Sequence, residues 1–390
     1  MRWCAKYENE MRQDTEDDAA LSRALGIDPA SVVGHEPIAG GIAGGWLERL
    51  TVHEETGGTA ARYSHRVLKR LEPESGWLGA LSGDTLLREV RLWSRGVLSD
   101  LPAGIETGVV AWMERSQNGR PVGGALLLRD ERGHLLRDPV STPPGCSPAL
   151  VGALLDALAR LHARYWCDAR LSDPEMGLAT PEAALLLAAP DALARRMAGG
   201  DADPYLPLAL AGWETFFRLA APEDAETLRG LFANPIPVLE TIARLPWTLV
   251  HGDVWGPNLG MLPPCRRAPR RGARVLLLDW GLATVGPATY DALWLCGTWH
   301  KLAPVRVLAA YRARLERHLG ARGVALAPEV WRALADTGYL RTALTCGEAI
   351  GRAAAEAQAG APKRQAEARV RWWAERAARG ARRISSADPS

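Results

Sequence analysis

Two short apolar runs, each ending in an acidic turn, constrain this chain more than any other feature. Thr248-Leu249-Val250 leads into His251-Gly252-Asp253-Val254-Trp255-Gly256-Pro257-Asn258. Val275-Leu276-Leu277-Leu278 leads into Asp279-Trp280-Gly281. A brief apolar run bounded by Gly, Pro, Asn and Asp reads as a buried strand that stops at a turn. Two such strands can deliver two carboxylates and one amide to a common point. Oxygen donors of that kind suit Mg²⁺, and a carboxylate beside a hydroxyl can accept its proton. Those are the requirements of phosphoryl transfer. Each motif alone is built from ordinary turn formers, so the signal lies in the pair and its order.

Composition removes several alternatives. The 390 residues carry 47 Lys and Arg against 45 Asp and Glu, a net charge of +2, so no basic face for nucleic acid is expected. The length suits about two lobes. Cys4, Cys146, Cys167, Cys265, Cys296 and Cys346 form neither a C-x-x-C pair nor a zinc spacing, which fits reduced thiols and a cytoplasmic setting. The start is acidic from Glu8 to Asp18 and no apolar core follows, so a secretory signal is not expected. No run approaches the ~18 apolar residues of a membrane span, and no membrane partner is expected.

Along the chain, residues 1–30 read as a polar leader, mobile over its first twenty positions. Residues 31–130 are strand-rich, with alternation at 47–52 and 63–71. Residues 81–93 are predicted to form one helix opening at Ser82. Strands at 109–115 and 122–128 flank Asn118-Gly119, a hairpin signal. From about 148 the chain turns helical, with Leu154, Leu158, Leu161 and His162 on one face and His162 read as a satisfied helix histidine. A second island of strands is expected at 247–250, 259–262 and 274–278, before helices resume from 290 to near 383. The architecture predicted is α+β: a small antiparallel-sheet lobe at 31–130 and a larger, mainly helical lobe at 131–390, joined through the loop 129–148.

The pair of motifs resembles the aminoglycoside phosphotransferase/choline kinase branch of the protein-kinase-like fold. That family carries H-G-D-x-x-x-x-N, then an acidic metal loop, then G-P-x-x-x-D. Here the continuation is Gly286-Pro287-Ala288-Thr289-Tyr290-Asp291. Gly252 stands where protein kinases carry Arg, and no Ala-Pro-Glu follows the metal loop, both pointing to small-molecule kinases. The resemblance spans about residues 36–300 and is firmest over 247–293. It implies a bilobal kinase that moves the γ-phosphoryl group of ATP to a hydroxyl of a small-molecule acceptor, with ATP and Mg²⁺ as cofactors. Asp253 would be the base or hydroxyl orienter, Asn258 and Asp279 would bind magnesium, and His251 and Asp291 would brace the loop. The alternatives are a catalytically silent nucleotide-binding relative and a protein kinase.

The same resemblance looks to the first lobe for a phosphate cover and a lysine. Gly40, Gly41, Gly44 and Gly45 lie between predicted strands and could bring backbone N–H groups to phosphates, or form a plain flexible hairpin. Lys69 ends Val67-Leu68-Lys69 in the place of the kinase lysine, with Arg66 and Arg70 as competitors. Glu89 on the following helix would hold it, ahead of Glu54, Glu55 and Glu72; its bland reading is a surface carboxylate beside Arg88 or Arg91. Residues 126–130 read equally as a nucleotide-binding hinge or an edge strand. Trp255 could wall the acceptor site or fill the core.

About 85 residues separate the helix near Tyr165 from His251, and the helices they form resemble the family's acceptor subdomain. The acceptor helices expected at 165–245 and 300–385 carry mixed charge and many Ala and Leu, which points to an alcohol less cationic than an aminoglycoside or partly apolar. The arginines at 266–274 read as a solvated hairpin tip. Residues 361–390 read as a basic amphipathic helix with Trp372 and Trp373 turned inward. The chain is expected to be a monomer or weak dimer.

Overall fold

The computed structural model describes residues 15–38, 45–54, 62–136, 147–264, 274–299 and 301–386. The first part of the chain contains α1 (Thr15–Ala24), β1 (Val32–Pro37), β2 (Trp46–Glu54), β3 (Arg62–Leu71), α2 (Gly76–Leu81), α3 (Arg88–Ser94), β4 (Ile105–Glu106), β5 (Val109–Gln117) and β6 (Arg120–Arg129). Five of these strands make one antiparallel sheet in the order β1-β2-β3-β6-β5. Side chains alternate across such a sheet. Leu50, Leu68, Ala125 and Leu127 pack on one face with Leu25 and Ile27, which follow α1 within the expected leader. Leu126 and Leu128 pack on the other face with Leu87 and Val90 of the α3 region. Both faces are covered, which is why four consecutive β6 residues, 125–128, are buried. The hairpin joining β5 to β6 turns at Asn118 and Gly119, with φ of 53° and 76°, as a mirror-image two-residue turn demands.

One predicted element is different. Residues 81–93 do not form one helix: α2 ends where that helix should begin, and Ser82 is its C-terminal cap, donating from Oγ to the Gly79 carbonyl at 3.2 Å. The chain then turns at Leu87, whose φ of 54° is left-handed, before α3 starts. The Asp84 carboxylate accepts from the Arg88 N–H at 2.6 Å and satisfies the new helix start that the break creates. The break is local, and Ser82-Gly83-Asp84-Thr85, with Gly83 at φ 64°, is the turn signal that the single-helix reading passed over.

The second part of the chain contains α4 (Pro148–Arg164), α5 (Pro181–Leu186), α6 (Pro190–Ala198), α7 (Tyr205–Leu219), α8 (Pro222–Ala233), α9 (Ile236–Arg244), β7 (Thr248–Val250), β8 (Leu259–Leu262), β9 (Arg274–Leu277), β10 (Thr284–Gly286), α10 (Thr289–Thr298), α11 (Pro304–Gly320), α12 (Pro328–Glu356) and α13 (Ala361–Ser386). Several helices open on proline, whose missing N–H costs nothing in a first turn. At α4 the Ser147 hydroxyl also accepts from the Leu150 N–H at 3.1 Å. The fold is α+β and bilobal, as the resemblance implies. The lobes are stitched by backbone where β4 pairs in parallel with β9.

The helical lobe has one continuous core around α12, which is buried on nearly every side. Such a helix needs small residues where neighbours cross. Gly351 meets the Gly212 backbone of α7, and Gly347 meets the Trp213 ring. In α13, Trp373 is fully buried and Trp372 packs edge-on to Tyr339 with ring centroids 5.7 Å apart. Its arginines are spent on the fold: Arg382 donates to Asp224 at 3.0 Å and Arg369 to the Cys296 carbonyl. Cys167, Cys296 and Cys346 are free thiols, while Cys4, Cys146, Cys265 and the arginines at 266–271 lie outside the described residues. No helix among the described residues is long and apolar enough to cross a membrane.

Gly351→Ala should lower stability by about 2–3 kcal/mol, because a methyl there overlaps the Gly212 carbonyl and the crossing must spread. Gly230→Ala in α8 meets open space and should be neutral or stabilise by about 0.5–1 kcal/mol. Urea unfolding of both variants checks the pair, and equal midpoints would mean the crossing is not tight.

Candidate active site

Lys69 sits in β3, between β2 and β6, paired with Leu47 and Leu126. It shares a sheet face with Val67 and Leu71, which pack against the α3 side, while Leu68 points to the opposite core. That alternation aims the ammonium into the cleft between the lobes. Lys69 Nζ donates to Glu89 Oε2 at 2.6 Å and to Asp279 Oδ1 at 2.9 Å. Burial works against the ammonium, but the two carboxylates outweigh it and hold Lys69 well above its ordinary pKa. Burial also works to raise Asp279, yet Lys69 holds it below the usual carboxylate range. Glu89 is more deeply buried and is pushed up by that burial.

The competitors of these residues fall elsewhere. Arg70 approaches Glu48 at 3.5 Å and the Trp46 ring at 5.5 Å, and Arg66 donates to the His65 carbonyl at 3.1 Å. Glu89 is not a surface carboxylate, being 2% exposed. Of the four predicted glycines, Gly40, Gly41 and Gly44 lie outside the described residues, as does Glu55. Gly45 is described and lies over the lysine: a Cβ there would come within 3.3 Å of Lys69 Cε.

A hairpin brings the two acidic turns together. β8 and β9 pair antiparallel, with Leu259 opposite Leu277, so Asn258 and Leu278 are neighbours at the same end. The Leu278 N–H donates to the Asn258 carbonyl at 2.9 Å, and the next residue is Asp279. Asn258 Nδ2 donates to Asp253 Oδ2 at 2.8 Å and to the Asp253 carbonyl at 3.2 Å, which fixes both side chains and turns Asn258 Oδ1 the other way. Burial, then the charge of Asp279, push Asp253 up to about 7, against the pull of Asn258, Arg341 and Lys69. The structure therefore collects Lys69, Glu89, Asp253, Asn258 and Asp279 in one cleft.

Behind this cleft the loop 251–258 is braced by buried polar groups. Asp291, at the start of α10, accepts from the His251 N–H at 2.8 Å and from the Gly252 N–H at 2.9 Å. His162 of α4 lies 3.1 Å from Asp291 through Nε2, and its Nδ1 meets the Tyr311 hydroxyl of α11. Burial would raise Asp291, but His162 and the loop N–H groups hold it low. His251 lies 3.0 Å from the Leu278 carbonyl through Nε2 and accepts from the Asp253 N–H at 3.2 Å through Nδ1, so one imidazole ties both acidic turns. The ring lies tilted against Trp280, with centroids 4.6 Å apart.

Sequence reasoning passed over two buried arginines. Arg88, next to Glu89 and fully buried, donates to the Gly177 carbonyl at 2.7 Å, to the Gly281 carbonyl and to the Ser82 carbonyl at 3.0 Å. It joins α3 to the turn after Asp279. Arg341 of α12 donates to the Gly252 carbonyl at 3.1 Å. Their only sequence signal was a charge within an otherwise apolar helical stretch. Trp255 is half-buried.

Asp279 and the Asn258 amide oxygen are donors of the kind that Mg²⁺ takes alongside water and phosphate, and the neighbouring Lys69 ammonium is a cation that a phosphate oxygen could pair.

Asp291→Ala should cost about 3–5 kcal/mol, since it strands two buried N–H groups and removes the partner of His162. A urea midpoint unchanged from wild type would show that Asp291 does not anchor the loop.

The sequence profile of the phosphotransferase enzyme family matches residues 42–324. No curated protein sequence matches the chain. Among solved structures, choline kinase from Cryptosporidium parvum Iowa II is 9% identical over 95% of this chain and 94% of its own, with a TM-score of 0.49. Choline kinase LicA from Streptococcus pneumoniae is 11% identical over 92% of this chain and 97% of its own, with a TM-score of 0.42. An aminoglycoside-3'-phosphotransferase of type VIII is 19% identical over 85% of this chain and 98% of its own, also with a TM-score of 0.42.

Proposed function

The chain belongs to the phosphotransferase enzyme family, and from that premise we propose that it transfers the γ-phosphoryl group of ATP to a hydroxyl of a small acceptor molecule. The observation that carries this reading is Lys69 hydrogen-bonded at once to Glu89 and Asp279, with Asp253 and Asn258 brought alongside by the β8–β9 hairpin. Phosphoryl transfer asks little covalent chemistry of a protein and much positioning and charge compensation. Lys69 binds phosphate oxygens, and Glu89 holds it extended toward them. Asp279 and Asn258 Oδ1 would hold Mg²⁺, which when bound offsets charge on the phosphates. Asp253 orients the acceptor hydroxyl and receives its proton as that oxygen bonds to the γ-phosphorus, while the bond from phosphorus to the bridging oxygen breaks and ADP leaves. A cation near Asp253 opposes the rise that burial and Asp279 impose, keeping the carboxylate ionised and ready to accept.

The helices α5–α9 precede Asp253 in the chain, and on this reading they supply the acceptor side. They carry both signs of charge among many Ala and Leu, which supports an acceptor less cationic than an aminoglycoside. We place the enzyme in the cytoplasm, acting as a monomer or weak dimer, with no nucleic-acid or membrane partner.

Asp253→Asn should lower turnover at least ~10²-fold while MgADP affinity stays within about twofold, because the acceptor loses its proton sink and the nucleotide its neighbour only. ADP release over a panel of alcohols, sugars, amino alcohols and antibiotics measures both the reaction and its acceptor. A folded Asp253→Asn variant with wild-type turnover would refute the assignment. Chelating the divalent cation with EDTA should abolish turnover, and excess Mg²⁺ should restore it.

A further inference from the structure

Gly252 precedes Asp253 and can carry no side chain. Its φ is 87°, and a Cβ there would overlap the Leu282 carbonyl. Its peptide groups are nonetheless clamped from two sides by opposite charges. Asp291 of α10 accepts the Gly252 N–H at 2.9 Å. Arg341 of α12 donates from Nη2 to the Gly252 carbonyl at 3.1 Å and from Nε to the Ala184 carbonyl of α5 at 3.3 Å. The guanidinium lies over the Tyr290 ring at 5.0 Å and the Trp294 ring at 4.6 Å, both from α10.

Arg341 is 1% exposed, and its Nη1 has no hydrogen-bond partner among the described residues. Among the described residues no carboxylate pairs with it directly, and the charge is offset by two carbonyls, two aromatic faces and the longer-range fields of Asp291, Cys346 and Asp253. Burying a guanidinium on those terms is costly. A Met or Leu would fill the same helix position without that cost, so packing alone does not explain the arginine.

We propose that Arg341 is a positioning residue for Asp253: from α12 it fixes the Gly252–Asp253 peptide and supplies a positive charge that the loop itself has no room to carry. This rests on the reading of Asp253 as the group that orients the acceptor. Holding the carbonyl of Gly252 fixes the plane of the peptide whose nitrogen belongs to Asp253, and so the direction in which that carboxylate leaves the backbone. Rotation of the peptide would swing the carboxylate off the acceptor line, and small misplacements of this kind lower rates by up to ~10²-fold. On that reading the nucleotide would be held by Lys69, Asn258 and Asp279, of which Asn258 touches Asp253, so its affinity should change far less than kcat.

The test uses the full chain, MgATP hydrolysis with water as the acceptor, MgADP affinity, and amide exchange across residues 250–254. Arg341→Met is expected to lower kcat by about 10- to 100-fold, leave MgADP affinity within about twofold, and speed exchange at 250–254 but not around Lys69. Arg341→Lys keeps the charge and one donor but not the fork, and is expected to recover part of the lost kcat. A folded Arg341→Met with kcat within about twofold of wild type overturns the proposal, and so does one whose nucleotide affinity falls in step with kcat. Should Arg341→Met fail to fold, Arg341→Lys decides: full kcat overturns the proposal, reduced kcat at unchanged MgADP affinity supports it. Failure of both variants to fold makes the residue structural and also overturns it. Asp253→Asn separates this from the underlying reading. If that variant hydrolyses MgATP like wild type, the role of Asp253 fails and the proposal with it. If it is slow while Arg341→Met is fast, only the role of Arg341 fails.

Discussion

A single buried ammonium holds this structure's working parts in register. Lys69 reaches one carboxylate from α3 and another from the turn after β9, so the sheet, a helix and the second lobe meet at one nitrogen. Two carboxylates face one ammonium there, so a divalent cation such as the proposed Mg²⁺ would find negative charge to offset. The same balance explains the opposite tendencies of the two acids. Asp279 stays ionised against Lys69, while Glu89, deeper and drier, is raised by burial.

Around that point the protein spends buried polar groups where most cores would avoid them. Asp291, His162, His251, Arg88 and Arg341 are each almost fully enclosed. Four of them hold the backbone of the two acidic turns, and His162 acts through Asp291. Arg88 holds the turn after Asp279 through the Gly281 carbonyl, and Asp291 and Arg341 hold the turn before Asp253. Backbone groups in a left-handed turn cannot satisfy one another as those of a helix do, so charged side chains arriving from distant helices complete them. The stability such groups cost is recovered in the continuous apolar core around α12, where glycines let α7 approach closely.

Much of this was legible in the residues themselves. The strand ends at Val250 and Leu277 follow from short apolar runs stopped by turn formers, and the β5–β6 hairpin follows from Asn118-Gly119. The convergence of Asp253, Asn258 and Asp279 was implied by order, and β8–β9 pairing supplies its geometry. The single helix predicted at 81–93 was not what formed. Ser82-Gly83-Asp84-Thr85 interrupts the apolar period after Leu81, and left-handed residues at Gly83 and Leu87 with the capping of Arg88 by Asp84 complete the division. Those contacts serve to aim Glu89 at Lys69, a requirement that no local period records.

Local chemistry determined which side chains could carry the reaction, because carboxylate, amide and lysine are properties of single residues and their strand or turn positions are set by near neighbours. Only the folded chain decided what surrounds each of them. Arg341 lies 89 positions after Gly252, and His162 lies 129 before Asp291. Burial and charge at such distances depend on how helices cross, and crossing depends on packing throughout the core rather than on any run of sequence.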